Sequence, residues 1–320
     1  MFRLFLVTLH SISILDVLMG GTYNQLVFAY YQSVILFFIH MVIQVNNTIQ
    51  RDNTKEKHGS DIAYLLSFFE ENKHFPLFSQ VLIETRTDCN NRCSFCPQSH
   101  YRKSLGEMSW DCFVTVISQL EDMKFAGRIA FFLSNEPLLD KRLLQMIRYA
   151  REHVARAFLD ITTNGKLLTV SVVDDLLSSG IDNITINDYR SDRDVSSDSM
   201  SQNLKEVMDV FRFNPKVCYK PRRTDEQLPN YAGIIEQQLG DTEYGFCNYP
   251  FRKLTIAYNG DVLLCCNDFS YKTKFGNVLT DSLVSAWNSS EYNDIRLSLL
   301  QDKRINLCSK CNETQEYNIF

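Results

Sequence analysis

The chain is predicted to be an α/β protein with a parallel sheet or barrel, followed by a smaller hairpin-bearing segment. Two observations carry this. From Gln80 onward, strand-length apolar runs alternate with amphipathic runs of helix length, the pattern of consecutive β/α units. Past Tyr249 the alternation stops, and Tyr258-Asn259-Gly260-Asp261 lies between two apolar runs, the strongest short-range hairpin signal.

Each element has its own justification. Residues 60–71 read as a capped amphipathic helix. Strands are expected at 80–86, 128–133, 156–162, 183–187 and 216–220. Helices fill the intervals at 109–123, 140–152, 171–179 and 201–213, with Gly180 stopping the third. The hairpin limbs are 253–257 and 262–265. One helix is expected over 283–300, before a terminal Cys-x-x-Cys.

The first 45 residues differ. Residues 26–43 (LVFAYYQSVILFFIHMVI) carry no formal charge over 18 positions, the lower limit for crossing a bilayer. Arg51, Lys55 and Lys57 follow, which suits a cytoplasmic side for the remainder. A membrane anchor, a peripheral helical extension and residues upstream of the true start all fit. The expected organisation is an extension and linker over 1–59, a first globular region over 60–235 and a second over 240–320.

Composition narrows the chemistry. At 45% apolar and 22% charged, the chain is a folded protein rather than a disordered one. A formal charge of −5 excludes a general nucleic-acid binder, which needs surplus Lys and Arg against phosphate. The six histidines lack metal-ligand spacing. Ten cysteines remain to be explained, and in a chain this long their clustering points to metal or cluster ligation rather than disulfides.

Cys89, Cys93 and Cys96 form Cys-x-x-x-Cys-x-x-Cys directly after the first strand. Three thiolates on one loop can hold three irons of a [4Fe–4S] cluster and leave the fourth open to a small molecule. A closed zinc site wants four ligands, as does an electron-transfer ferredoxin cluster. Phe95, just before the last cysteine, shields the site from water.

This triplet, with an aromatic before its last cysteine, resembles the signature of the radical S-adenosylmethionine superfamily, over roughly residues 78–311. The resemblance implies a partial (β/α)6 TIM-like barrel, a [4Fe–4S] cluster, and reductive cleavage of S-adenosylmethionine to a 5′-deoxyadenosyl radical. It also assigns cofactor contacts. Ser134-Asn135-Glu136-Pro137 stands where relatives have Gly-Gly-Glu-Pro, whose backbone carbonyls and Glu bind the amino group of S-adenosylmethionine. Ser and Asn replace both glycines, although the backbone there must approach a ligand closely. Thr163 and Asn164, before Gly165, match the family's Thr-Asn-Gly turn. Asn187 and Asp188 end the fourth strand, where relatives place polar groups near the ribose and carboxylate. Alone, each of these is ordinary turn chemistry; together they fall at successive strand ends, where α/β folds place their sites.

Cys247, Cys265, Cys308 and Cys311 form a second group, two with the hairpin and two on a short knuckle. Their arrangement resembles the shortened SPASM, or twitch, extension of the same superfamily, a small α+β domain with one auxiliary [4Fe–4S] cluster. The segments Phe275-Gly276-Asn277-Val278 and Ser282-Leu283…Trp287 also match it. A four-thiolate zinc knuckle is the rival. Of the adjacent pair Cys265 and Cys266, strand alternation allows one ligand, and Cys265 is chosen. Cys112 and Cys218 read as inert thiols.

The resemblance implies a cytoplasmic oxidoreductase that takes a small polyol-, sugar- or aminocyclitol-like substrate and draws electrons from a flavodoxin or ferredoxin. Arg222 and Arg223 are weak candidates for gripping that substrate, since loop arginines mostly contact water. No nucleic acid is expected as partner; membrane association through the N-terminal stretch stays open. Radical modification of a peptide and a non-catalytic cluster- or zinc-binding protein are the alternatives.

Overall fold

Alternation along the strands sets the architecture in the computed structural model, which describes residues 59–101, 103–188, 200–221, 229–235 and 246–313. Five parallel strands are β1 (Gln80–Ile83), β2 (Arg128–Ala130), β3 (Phe158–Thr163), β4 (Asn183–Asp188) and β5 (Val217–Pro221). Helices α1 (Trp110–Asp122), α2 (Leu143–His153), α3 (Val170–Ser178) and α4 (Gln202–Phe211) alternate with them. Val81, Ile83, Ile129, Ile161, Ile184 and Ile186 share one core with the apolar faces of these helices. Successive strand residues point to opposite faces, so Glu84, Asp160, Thr185 and Asn187 belong to the other, polar face.

The helices start where the sequence supplies side-chain caps. Ser109 Oγ accepts from Cys112 N–H at 3.1 Å, Thr169 Oγ1 from Val172 N–H at 3.2 Å, and Ser201 Oγ from Leu204 N–H at 3.3 Å. Such caps contribute about 1 kcal/mol each. After α3, Gly180 takes φ +98°, a conformation in which a Cβ would be strained, and stops the helix as expected.

The hairpin also forms, as β6 (Lys253–Ile256) and antiparallel β7 (Val262–Leu263). Its first limb lies parallel to β1 on the side away from β2, giving the sheet order β5-β4-β3-β2-β1-β6-β7. Six parallel strands are thus reached, and among the described residues the sheet is open. The described residues from Ile62 onward form one compact unit. Expected residues 85–86 and 132–133 lie beyond the ladder in loops, while the N–H groups of Glu84 and Phe131 still bond the carbonyls of Ile256 and Asp160.

The helix expected over 283–300 is two helices, α5 (Leu283–Trp287) and α6 (Ser290–Leu300). Ser289 is extended (φ −56°, ψ 149°), which breaks the ladder. The wholly buried Arg296 of α6 compensates. Its guanidinium donates to the Trp287 and Pro250 carbonyls and to Asn293 Oδ1, and lies 3.9 Å and 3.7 Å from the ring centroids of Trp287 and Tyr292. Among the described residues no helix is long and apolar enough to cross a membrane; residues 26–43 lie outside them.

Arg296→Ala leaves two buried carbonyls without their donor. It is expected to lower the unfolding free energy by roughly 2–4 kcal/mol, read by urea denaturation at unchanged m-value.

Candidate active site

The loops that follow β1 to β4 meet around a cavity of about 250 Å3. Cys89, Cys93, Cys96 and Phe95 line it together with Ser134, Asn135, Glu136, Thr163, Asn164 and Asn187. The structure thus joins ten of the twelve residues marked for the first cluster and the cofactor. Pro137 stands apart, buried at the start of a 3-10 turn. Asp188 also turns away, because β4 alternates: Asn187 faces the cavity, while Asp188 shares the parity of Ile184 and Ile186 and accepts the Tyr219 hydroxyl at 2.6 Å. Arg222 and Arg223 lie outside the described residues.

Hydrogen bonds hold the loops in register. Gln98 Nε2 donates to the carbonyls of Thr87 and Ser134, both at 2.7 Å, so one side chain clamps the cysteine loop to the Ser134 loop. Glu136 N–H donates to the Asp88 carbonyl at 3.0 Å. The Glu136 carboxylate accepts from Thr163 Oγ1 at 2.6 Å, Asn164 N–H at 2.8 Å and Leu138 N–H at 3.2 Å. It offers about four acceptor directions, so three are already taken inside the protein. Burial pushes this carboxyl above its ordinary value, against the pull of those bonds.

The substituted glycines prove compatible with the site. Neither Ser134 nor Asn135 adopts positive φ, so the loop needs no glycine there. Asn135 Oδ1 accepts the Leu133 N–H at 2.9 Å. Its Nδ2 is buried and has no hydrogen-bond partner among the described residues.

The cysteine loop also fits iron. Cys89 Sγ accepts from Asn91 N–H at 3.4 Å and Asn164 Nδ2 at 3.7 Å. Burial pushes the Cys89 and Cys96 thiols up, so a bound cation is what would hold them as thiolates.

Cys247, Cys265, Cys308 and Cys311 are all buried. Burial and then mutual repulsion push Cys247 up to about 12 and Cys308 to about 11. Cys265 is raised well above its ordinary value, first by burial and then by Cys266 and the three other members. Cys266 is raised by burial too, but its field comes from Lys253, Glu313 and Cys311. Cys311 Sγ accepts from Glu313 N–H at 3.5 Å and Asn267 Nδ2 at 3.8 Å. Among the described residues no three metal-capable side chains converge on a single-ion site. A polynuclear cluster, with thiolates standing around its corners, does not need that convergence.

A buried charged group links the two regions. Lys103 Nζ donates to Glu84 Oε1 at 3.1 Å and to the Tyr271 hydroxyl at 2.7 Å, and lies 4.3 Å from the Phe269 ring centroid. The Tyr271 hydroxyl in turn donates to Glu84. Desolvation lowers the Lys103 pKa.

Sequence reasoning missed several cavity residues: Asn91, Gln98, Phe132, Leu133, Thr162 and Tyr231. Gln98 lies two positions past the triplet and Phe132 and Leu133 just ahead of Ser134, but no spacing marks them.

A cysteine triplet opening onto a cavity at the strand ends of an open α/β sheet, with four buried thiols beyond it, defines the class. Residues 83–212 match the family model of the radical SAM superfamily, and residues 247–312 that of an iron–sulfur cluster-binding domain, SPASM. The S-adenosyl-L-methionine-dependent 2-deoxy-scyllo-inosamine dehydrogenase of Niallia circulans is 30% identical over 242 residues, covering 74% of this chain and 93% of the relative. The chain therefore belongs to the radical SAM superfamily and is an enzyme of that type. The crystal structure of BtrN in complex with AdoMet and 2-DOIA superposes with a TM-score of 0.66 at 28% identity, covering 76% of this chain and 99% of the other. A tungsten-containing aldehyde ferredoxin oxidoreductase cofactor-modifying protein of Pyrococcus furiosus matches more narrowly. It is 32% identical over 103 residues, covering 32% of this chain and 28% of that protein.

Glu136→Ala strands the Thr163 hydroxyl and the Asn164 N–H. It is expected to cost roughly 1–3 kcal/mol, with faster hydrogen exchange at the Asn164 amide as the local signature.

Proposed function

We propose that this chain is a radical S-adenosylmethionine dehydrogenase acting on a small polyhydroxylated ring that bears an amino group, of the aminocyclitol class. The observation that carries this reading is the match to a dehydrogenase of that class along 93% of its length. Cys89, Cys93 and Cys96 would hold one [4Fe–4S] cluster with an open iron, and Cys247, Cys265, Cys308 and Cys311 a second. When bound, these groups and S-adenosylmethionine supply the 5′-deoxyadenosyl radical that takes a hydrogen atom from substrate, and an acceptor for the electron left behind.

The chain's own residues bind, orient and keep the cavity dry. Phe95, Phe132 and Leu133 supply apolar wall that excludes water from a reactive intermediate. Ser134, Asn135 and Asn187 line the cavity with polar residues that would meet the cofactor. Glu136 acts through its neighbours, holding the Thr163–Asn164 turn in place. On the polar face of the sheet, Arg128 and Asp160 pair through two bonds of 2.6 and 2.7 Å. Arg222 and Arg223 stay candidates for substrate binding.

The same proposal takes residues 60–235 as the barrel and 240–320 as the auxiliary-cluster domain. It includes a cytoplasmic setting, a flavodoxin or ferredoxin as electron donor, and membrane association through residues 26–43 as an open possibility.

Anaerobic reconstitution is expected to give about eight irons per chain; about four, with zinc alongside, would remove the second cluster from the reading. Reduction with S-adenosylmethionine present should release 5′-deoxyadenosine, and Cys89→Ala, Cys93→Ala and Cys96→Ala should each abolish it. Cys308→Ala should keep about four irons and still cleave the cofactor. With 2-deoxy-scyllo-inosamine added, mass spectrometry should find a product lacking two hydrogens in the wild type but not in Cys308→Ala.

A further inference from the structure

Tyr231 reaches the cavity by an unusual route. It follows β5 and is distant in sequence from every other lining residue, yet it stands on the wall with Asn164 and Asn187. Its backbone has φ +47°, and Ala232 (+57°) and Gly233 (+85°) continue in the same region. Two non-glycine residues in succession there are strained by roughly 1–2 kcal/mol each, and such strain persists only where surrounding contacts over-determine it.

Those contacts come from the C-terminal knuckle. Asn230, fully buried, pairs reciprocally with Asn312: Asn230 N–H donates to Asn312 Oδ1 at 2.7 Å, and Asn312 N–H donates to Asn230 Oδ1 at 3.1 Å. Asn230 Nδ2 donates to the Lys310 carbonyl at 2.8 Å. The same Asn230 Oδ1 accepts the Gly233 N–H at 3.2 Å, so one side chain holds the turn and the knuckle together. Gly233 lies so close to Lys310 that a Cβ there would fall 2.8 Å from Lys310 Cβ. Lys310 and Asn312 are the two neighbours of Cys311.

We infer that Tyr231 is a binding residue of the S-adenosylmethionine cavity, and that the Cys308–Cys311 knuckle sets its position through the Asn230–Asn312 pair. This rests on the reading of that cavity given above. The folded knuckle then has a second role besides holding its own metal centre: it completes the far wall of the cofactor site. The strained turn behaves as a spring that returns to ordinary backbone, carrying Tyr231 out of the cavity, once the asparagine pair is broken.

The test uses the full-length protein reconstituted with iron and sulfide. S-adenosylmethionine affinity is measured by equilibrium dialysis, with the change in the reduced cluster's EPR signal on cofactor addition as a second readout. Tyr231→Ala should weaken binding about tenfold, with iron content unchanged. Asn230→Ala and Asn312→Ala should each match that loss, and adding Tyr231→Ala to either should cost nothing further, as for residues acting as one unit. Wild-type affinity in Tyr231→Ala overturns the inference, as do additive losses in the double variants. If the asparagine variants lose half their iron and still bind the cofactor as wild type does, the link is refuted directly. A wild-type protein that binds no S-adenosylmethionine would instead sink the cavity reading itself.

Discussion

The backbone ladder between β1 and β6 brings the two cysteine groups of this chain onto one framework. Its register runs from Gln80–Lys253 to Ile83–Ile256, and Glu84 N–H extends it by donating to the Ile256 carbonyl at 2.9 Å. On one flank, β1 runs out into the Cys89 loop. On the other, the hairpin returns through β7 to Cys265. Without this pairing the hairpin would be an isolated two-stranded unit, which is marginal in water. With it, residues some 170 positions apart in the chain become neighbours across one strand.

Buried charge reinforces that junction. Glu84 comes from the end of β1, Lys103 from the segment after the cysteine triplet, and Tyr271 from beyond β7. Removing such groups from water is costly, and the cost is met only when every partner is in place. The network therefore favours one relative placement of three segments over near alternatives. Arg296 does the same between α5, α6 and the Pro250 turn. Specificity of arrangement follows from the penalty on misplacing a charge.

The cavity obeys a related logic on a smaller scale. Gln98 and Glu136 spend their polar groups on backbone and side chains of neighbouring loops rather than on solvent. Loops that would otherwise move independently are cross-tied around the space they enclose. A site meant to hold a cofactor close to a radical must be set before the ligand arrives.

Much of this was legible in one dimension. Strand alternation and the Asn259-Gly260 turn are local effects that act within a few residues, and both formed as read; the caps at Ser109, Thr169 and Ser201 are as local, but the structure was needed to name them. The cysteine triplet declared its chemistry because all three thiols lie on one loop, so spacing alone fixes their neighbourhood. What the sequence could not decide was long-range. Nothing in residues 253–256 says that they pair with β1; the cap-forming run Asn288-Ser289-Ser290 marks the break in residues 283–300, but not the buried arginine that compensates it from seven residues beyond. The split between Asn187 and Asp188 followed from strand parity at the end of β4, and Tyr231 stands at the cavity on a turn that Asn312 ties down through Asn230, some eighty positions away in the chain. Local stereochemistry therefore determined the elements and the neighbourhood of the cysteine triplet. Contacts between segments far apart in the chain, whose strength depends on burial, determined which polar groups face the site.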